Sequence, residues 1–136
     1  MIQVLGLDHV VLRVQDALRM TRFYCDVLGC KVERSRQELG LVQLRAGQSL
    51  IDLVSISGEL GQKGGAAPGV EGRNMDHFCL RVEPFDPLAV IAHLIKNGVV
   101  PGETKQRYGA DGTGPSIYVS DPQGNTVELK GAPGSA

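Results

Sequence analysis

The heptapeptide Asp8-His9-Val10-Val11-Leu12-Arg13-Val14, DHVVLRV, returns as Asp76-His77-Phe78-Cys79-Leu80-Arg81-Val82, DHFCLRV. Five of the seven letters are identical, and the offset of 68 residues is half of the 136-residue chain. The first copy alternates with period 2 and is rich in Val and Leu, so it reads as a strand, and the second reads likewise. The surroundings of each copy repeat as well. After the first, Asp16 stands where a helix N-cap belongs. In DALRMTRFYCDVLG, Leu18, Phe23, Tyr24, Val27 and Leu28 recur at helical spacing and Gly29 closes the helix. CKVERS then reads as a strand, and LGLVQLRAGQSLIDLVSI as a hairpin turned at Ala46-Gly47-Gln48.

After the second copy, FDPLAVIAHLIKNG is a helix with Asp86 as N-cap, Pro87 at its first position and Gly98 beyond its end. VVPGETKQRYG supplies a short strand and turn. GPSIYVSDPQGNTVELKG is a hairpin turned at Asp121-Pro122-Gln123-Gly124-Asn125. Both halves are therefore βαβββ, the mark of a duplicated unit whose copies bury one another's faces. The reading is an α+β fold in a single domain, 1–136, made of modules 5–56 and 76–131. The glycine-rich stretch 57–75, SGELGQKGGAAPGVEGRNM, lacks apolar periodicity and reads as a long flexible connection. Its GELGQKGG lacks the spacing of a phosphate loop and the strand-to-helix frame such a loop needs.

Composition narrows the function. With 42% hydrophobic and 21% charged residues the chain is an ordinary globular one. A net charge of −1, with acids and bases evenly spread, argues against nucleic-acid binding. No apolar run is long enough to span a bilayer, so no membrane association is expected. The opening MIQVLGLDHV lacks a basic region followed by a long apolar core, so no secretory leader is expected. Cys25, Cys30 and Cys79 are odd in number and without CxxC spacing, against a disulfide scaffold or zinc ribbon. A reducing cytoplasm fits.

Strand alternation places the chemistry. His9, Val11 and Arg13 share one face, and His77, Cys79 and Arg81 the equivalent face. On the partner strands, Asp52 lies between Ile51 and Leu53, and Glu128 between Val127 and Leu129, so both carboxylates face away from the helices. Two imidazoles and two carboxylates on equivalent strands suit one divalent metal: zinc, nickel, manganese or iron(II). A single such residue would be read as the solvent face of a sheet; four in equivalent places favour metal. His93, in mid-helix, lies outside these equivalent strands and is read as an ordinary helix residue. Cys79 has apolar sequence neighbours and reads as a buried structural thiol.

The pieces LDHVVLRVQD, RFYCDVLGCKV, DHFCLRV and IYVSDPQGNTVELKG, spanning residues 7–131, resemble the vicinal oxygen chelate superfamily. It includes glyoxalase I, fosfomycin-resistance thiol transferases, extradiol dioxygenases and bleomycin-resistance proteins. The stretch YGADGTGPSIYVSDPQGNTVEL most resembles a glyoxalase-domain-containing subgroup. The resemblance implies paired βαβββ modules forming a curled mixed-sheet cup around one divalent metal. It implies His9, Asp52, His77 and Glu128 as ligands, with Glu128 also moving a proton beside a carbonyl. Asp52 falls where glyoxalases usually carry glutamate and is roughly 1.5 Å shorter in reach, so it binds directly, binds through water or misses.

The implied function is a metal-dependent lyase or isomerase of the glyoxalase type, holding vicinal oxygens of an anionic or thiol-adduct small molecule. The alternatives are an iron(II) extradiol-type dioxygenase and a non-catalytic, ligand-sequestering protein of the bleomycin-resistance kind. Arg13 and Arg81 are candidate substrate-binding residues, or else structural partners of Asp52, Glu128 or Glu103. Tyr118 either donates into the cup or packs as a sheet aromatic. A homodimer with sites at its interface is implied, and a lid formed by residues 57–75 or by RYGADGTG, residues 107–114, is expected.

Overall fold

The computed structural model describes residues 1–135. They divide into two compact units, Met1–Asn74 and a second that starts at Met75.

In the first unit, β1 (His9–Val14) leads into α1 (Ala17–Arg22). The helix starts where the Asp16 side chain accepts a hydrogen bond from Arg19 N at 3.0 Å. Its chain continues as a wider π-helical turn over Phe23–Val27. Gly29 then takes φ +82°, a left-handed conformation that lets the chain turn back into β2 (Lys31–Arg36). β3 (Leu41–Ala46) and β4 (Ser49–Ser55) complete the sheet, in the order β1-β4-β3-β2. β1 runs parallel to β4, and the other pairs are antiparallel. The core is the apolar side of this sheet. Leu12, Val14, Leu44 and Leu53 are fully buried with Met20 and Tyr24 of the helical segment, and Phe23 meets Tyr24 edge-on at 5.1 Å. Burying each such side chain stabilises the fold by about 1.5–3 kcal/mol.

The second unit repeats the plan. β5 (Phe78–Arg81) is followed by α2 (Pro87–Lys96), β6 (Lys105–Gly109), β7 (Gly112–Ser120) and β8 (Thr126–Lys130), with sheet order β5-β8-β7-β6. β5 and β8 are parallel, as β1 and β4 are. The Asp86 side chain accepts from Leu88 N at 3.1 Å and caps α2, whose first residue is Pro87. The β7–β8 turn is held by the buried Asp121 carboxylate, which accepts from Gln123 N, Asn125 N and Asn125 Nδ2 at 2.7–2.9 Å. Ile117, Val119, Val127, Leu129, Phe85 and Leu94 are buried.

Two expectations change. Residues 57–74 are not a free tether. A short 3₁₀ turn, Gly61–Gly64, lies against the end of β4, and the Arg13 guanidinium donates to the carbonyls of Gly61, Gly65 and Ala66, each at 2.9 Å. At the far end, the Asn74 amide bonds both backbone groups of Arg13 at 3.1 Å, in the manner of a neighbouring strand. These anchors use backbone carbonyls and one side-chain amide, which leave no hydrophobic period for a sequence reading to detect. Most of residues 107–114 are strand, closing the β6–β7 hairpin around Ala110 and Asp111, so a cover formed there would be a hairpin tip and not a free loop. Among the described residues no helix is long and apolar enough to cross a membrane.

Candidate functional site

The parallel pairing of β1 with β4 sets Val11 opposite Asp52, and β3 sets Gln43 opposite Asp52 on its other side. In the second unit Cys79 and Tyr118 flank Glu128 in the same way. Each carboxylate thus sits on the central strand of its sheet, on the face away from the apolar core. Both are buried, at 6% and 5% exposure. A buried carboxylate needs partners. The Gln43 amide donates to both oxygens of Asp52, at 3.3 and 3.2 Å. Glu128 Oε1 lies 3.4 Å from His77 Nε2.

The two histidines are held alike. His9 Nδ1 is 2.7 Å from Asp8 Oδ2, and His77 Nδ1 is 2.6 Å from Asp76 Oδ2. Ion pairs this exposed contribute little to stability. Their effect is on the ring: a carboxylate at Nδ1 accepts a hydrogen bond from Nδ1–H and favours the tautomer of the neutral imidazole whose lone pair is on Nε2. Asp8 and, secondarily, Asp52 raise the His9 pKa above its ordinary value. The aspartate of the repeated Asp-His dipeptide is therefore an orienting residue. The repeat displayed it, but reading strand faces alone did not single it out.

Around Glu128 the second unit forms a cavity of about 240 Å³, lined by His77, Cys79, Arg81, Glu128, Lys130 and the tip of the β6–β7 hairpin. Tyr118 stands edge-on to His77, with ring centroids 5.3 Å apart, and carries the Arg107 guanidinium 4.4 Å above its ring. Arg107 is fixed by Ser116, whose carbonyl and hydroxyl oxygens each accept at 2.8 Å. Desolvation and the neighbouring Glu128 carboxylate push the Tyr118 phenol upward. Arg81 pairs with Asp111 at the hairpin tip. Arg13, by contrast, spends its guanidinium on the backbone carbonyls of Gly61, Gly65 and Ala66 rather than on a carboxylate.

Cys79 is exposed rather than buried, because its face of β5 lines the cavity instead of the core. Desolvation of the sulfur and the Glu128 charge push its pKa up to about 11; the buried Cys30 also reaches about 11, mainly by desolvation. Against an ordinary thiol at 9.0, two units remove about 99% of the thiolate near neutral pH. In metal-free protein at pH 7.5, Cys79 should react with iodoacetamide about 100-fold more slowly than a free thiol of ordinary pKa, despite its exposure. Mass-spectrometric rates per cysteine check this, and an ordinary rate at Cys79 refutes it.

Profile comparison matches the Glyoxalase/Bleomycin resistance protein/Dioxygenase superfamily over residues 6–129. The chain belongs to this superfamily. Among solved structures it is similar to the virulence protein STM3117 of Salmonella typhimurium, at 28% identity and TM-score 0.79, over 96% of this chain and 99% of that one. It is also similar to an integron cassette protein of V. cholerae, at 28% identity and TM-score 0.77, over 96% and 98% of the two chains. An antibiotic-binding protein of Streptomyces sp. CB03234, TnmS3, shares the fold at 19% identity and TM-score 0.72, over 97% and 99%. The superfamily contains enzymes and non-enzymatic binding proteins, and its members typically bind a divalent metal.

The donors of this superfamily member fit such an ion in kind: imidazole nitrogen and carboxylate oxygen, with Nδ1 of each histidine already engaged. Within each unit they come as one histidine and one carboxylate. Among the described residues, no group of three or more His, Cys, Asp or Glu side chains is gathered closely enough to hold an ion.

Proposed function

We propose that this chain is a divalent-metal-dependent enzyme of the glyoxalase type, a lyase or isomerase acting on a small anionic or thiol-adduct substrate. The observation that carries the reading is the matched engagement of both histidines: Asp8 and Asp76 sit on Nδ1 and leave Nε2 as the donor atom. Metal-binding histidines are held in this way. His9, Asp52, His77 and Glu128 are the proposed ligands of zinc, nickel, manganese or iron(II). Such an ion, when bound, stabilises negative charge developing on adjacent substrate oxygens.

The chain's own residues do the rest. Glu128 is buried beside His77 and Tyr118, where its carboxylate can take a proton from a substrate carbon and return it to the neighbouring one. Tyr118, held under Arg107, offers its phenolic proton to an oxygen next to that carbon. Arg81 lies in the cavity wall, where exchanging Asp111 for a substrate anion would orient the substrate. Gln43 fixes the direction of the Asp52 carboxylate from the neighbouring strand β3.

Elemental analysis of protein purified without chelator tests the reading. The expected result is about one equivalent of one of the four metals per chain, followed by turnover of a glutathione hemithioacetal by the loaded protein. No metal, even after reloading with each of the four, would overturn it in favour of a ligand-sequestering protein. The orienting role has its own check. Asp76→Asn should weaken metal affinity about 10- to 100-fold, measured by competition with a chelating dye, while the far-ultraviolet dichroism stays unchanged. The same reading expects a homodimer, sedimenting at twice the chain mass.

A further inference from the structure

Two residues beyond Glu128, on the same face of β8, lies Lys130. It is 3% exposed, and its Nζ is buried without a hydrogen-bond partner among the described residues. Its position is built. The aliphatic stem crosses β6 at Gly109, where a Cβ would come to 2.7 Å from Lys130 Cε and push the stem from this path. Lys130 and Gly109 both line the cavity. Of the other charges there, Arg81 pairs with Asp111, and Glu128 Oε1 lies 3.4 Å from His77 Nε2. The Lys130 ammonium has no such hydrogen-bond partner among the described residues. Burying an ammonium without an acceptor is unfavourable, and Lys reads an anion as a compact point charge through three donors.

We propose that Lys130 anchors an oxyanion subsite in this cavity, taking the carboxylate or phosphate group of a small ligand. By liquid volume the cavity holds roughly eight waters, room for such a group and a short carbon skeleton. The inference deepens the proposed function by assigning the charged end of the substrate. It rests on that reading for the cavity's part in turnover, but anion binding itself needs no metal.

The test therefore uses the full chain after dialysis against chelator, titrated separately with inorganic phosphate, acetate and neutral acetamide, and followed by backbone amide shifts. Saturable binding of phosphate or acetate, with the largest shifts at Gly109 and Lys130, is expected, and acetamide should leave those amides unmoved. Saturation by phosphate alone assigns a phosphoryl ligand; saturation by acetate alone assigns a carboxylate. Lys130→Met keeps the stem and removes the charge, and should weaken binding by about tenfold or more, whereas Lys130→Arg should retain most of it. Gly109→Ala should weaken it too, by displacing the stem. The proposal is overturned by no saturable shift with either anion, by equal binding of acetamide, by shifts centred elsewhere, or by undiminished binding in a folded Lys130→Met. If that variant does not fold, the map of shifts on the unaltered chain decides alone. Anion binding in a protein that takes up no metal would sink the enzyme reading and leave the subsite standing.

Discussion

On the proposed metal-dependent reading, His77→Ala should abolish metal binding. Removing only the residue that orients a metal-binding histidine typically costs 10- to 100-fold in affinity, so removing the histidine itself should cost more than about 100-fold. In elemental analysis the bound ion should fall from about one equivalent per chain to under about a tenth. The physical reason is local. His77 Nε2 already faces the Glu128 carboxylate at 3.4 Å, and Nδ1 is occupied by Asp76. Glu128, only 5% exposed with the ring in place, then loses the imidazole beside it. His9→Ala should behave likewise. The fold should persist in both, because each histidine side chain is partly exposed, at 33% for His77 and 45% for His9, and neither belongs to the apolar core. A His77→Ala protein that keeps its full equivalent of metal would remove His77 from the ligand set.

The second large effect is on stability. Gly61→Ala should destabilise the fold by about 3 kcal/mol, the upper part of the range for overpacking, and lower Tm by about 10 °C. An added Cβ at Gly61 would land on the Ser55 carbonyl oxygen and approach Ser55 C to 2.6 Å and Ile56 Cα to 2.7 Å. These are backbone atoms at the end of β4 and cannot swing aside. The segment would have to lift, and the Arg13 hydrogen bond to the Gly61 carbonyl would go with it. Gly72→Ala is the matched control: it lies in the same glycine-rich stretch, with open space around its Cβ position, and should change stability by less than about 0.5 kcal/mol. Equal thermal midpoints for the two variants would mean that residues 61–66 are not anchored as described.

These predictions divide along what a sequence can carry. The duplicated βαβββ plan was legible because it rests on local signals. Alternation in DHVVLRV, Asp16 and Asp86 as helix caps, and the glycines that turn the chain act within a few residues and repeat at a fixed offset. The sidedness of Asp52 and Glu128 was legible for the same reason: one residue along a strand changes the face.

Register across strands was not legible, because it is set by which strands pair. Only pairing puts Gln43 beside Asp52 and sets Tyr118 and Cys79 on either side of Glu128. The burial of Cys79 was misjudged on this account, since apolar neighbours in sequence do not say which face of a strand is covered. The run of glycines at 57–75 looked like a tether because glycine also permits close backbone contact, and composition does not distinguish the two uses. Lys130 shows the limit most clearly. In sequence it is one more charge after a strand, two residues past Glu128. Only the crossing of its stem over Gly109, 21 residues earlier, makes it a buried cation beside a cavity. By itself, then, the sequence determined the strands, the helices, their order and the faces that carry the polar groups, since these follow from short-range periodicity. Tertiary structure alone decided which of those groups meet, which are buried and which charge is left without a partner, since these depend on distances between residues far apart in the chain.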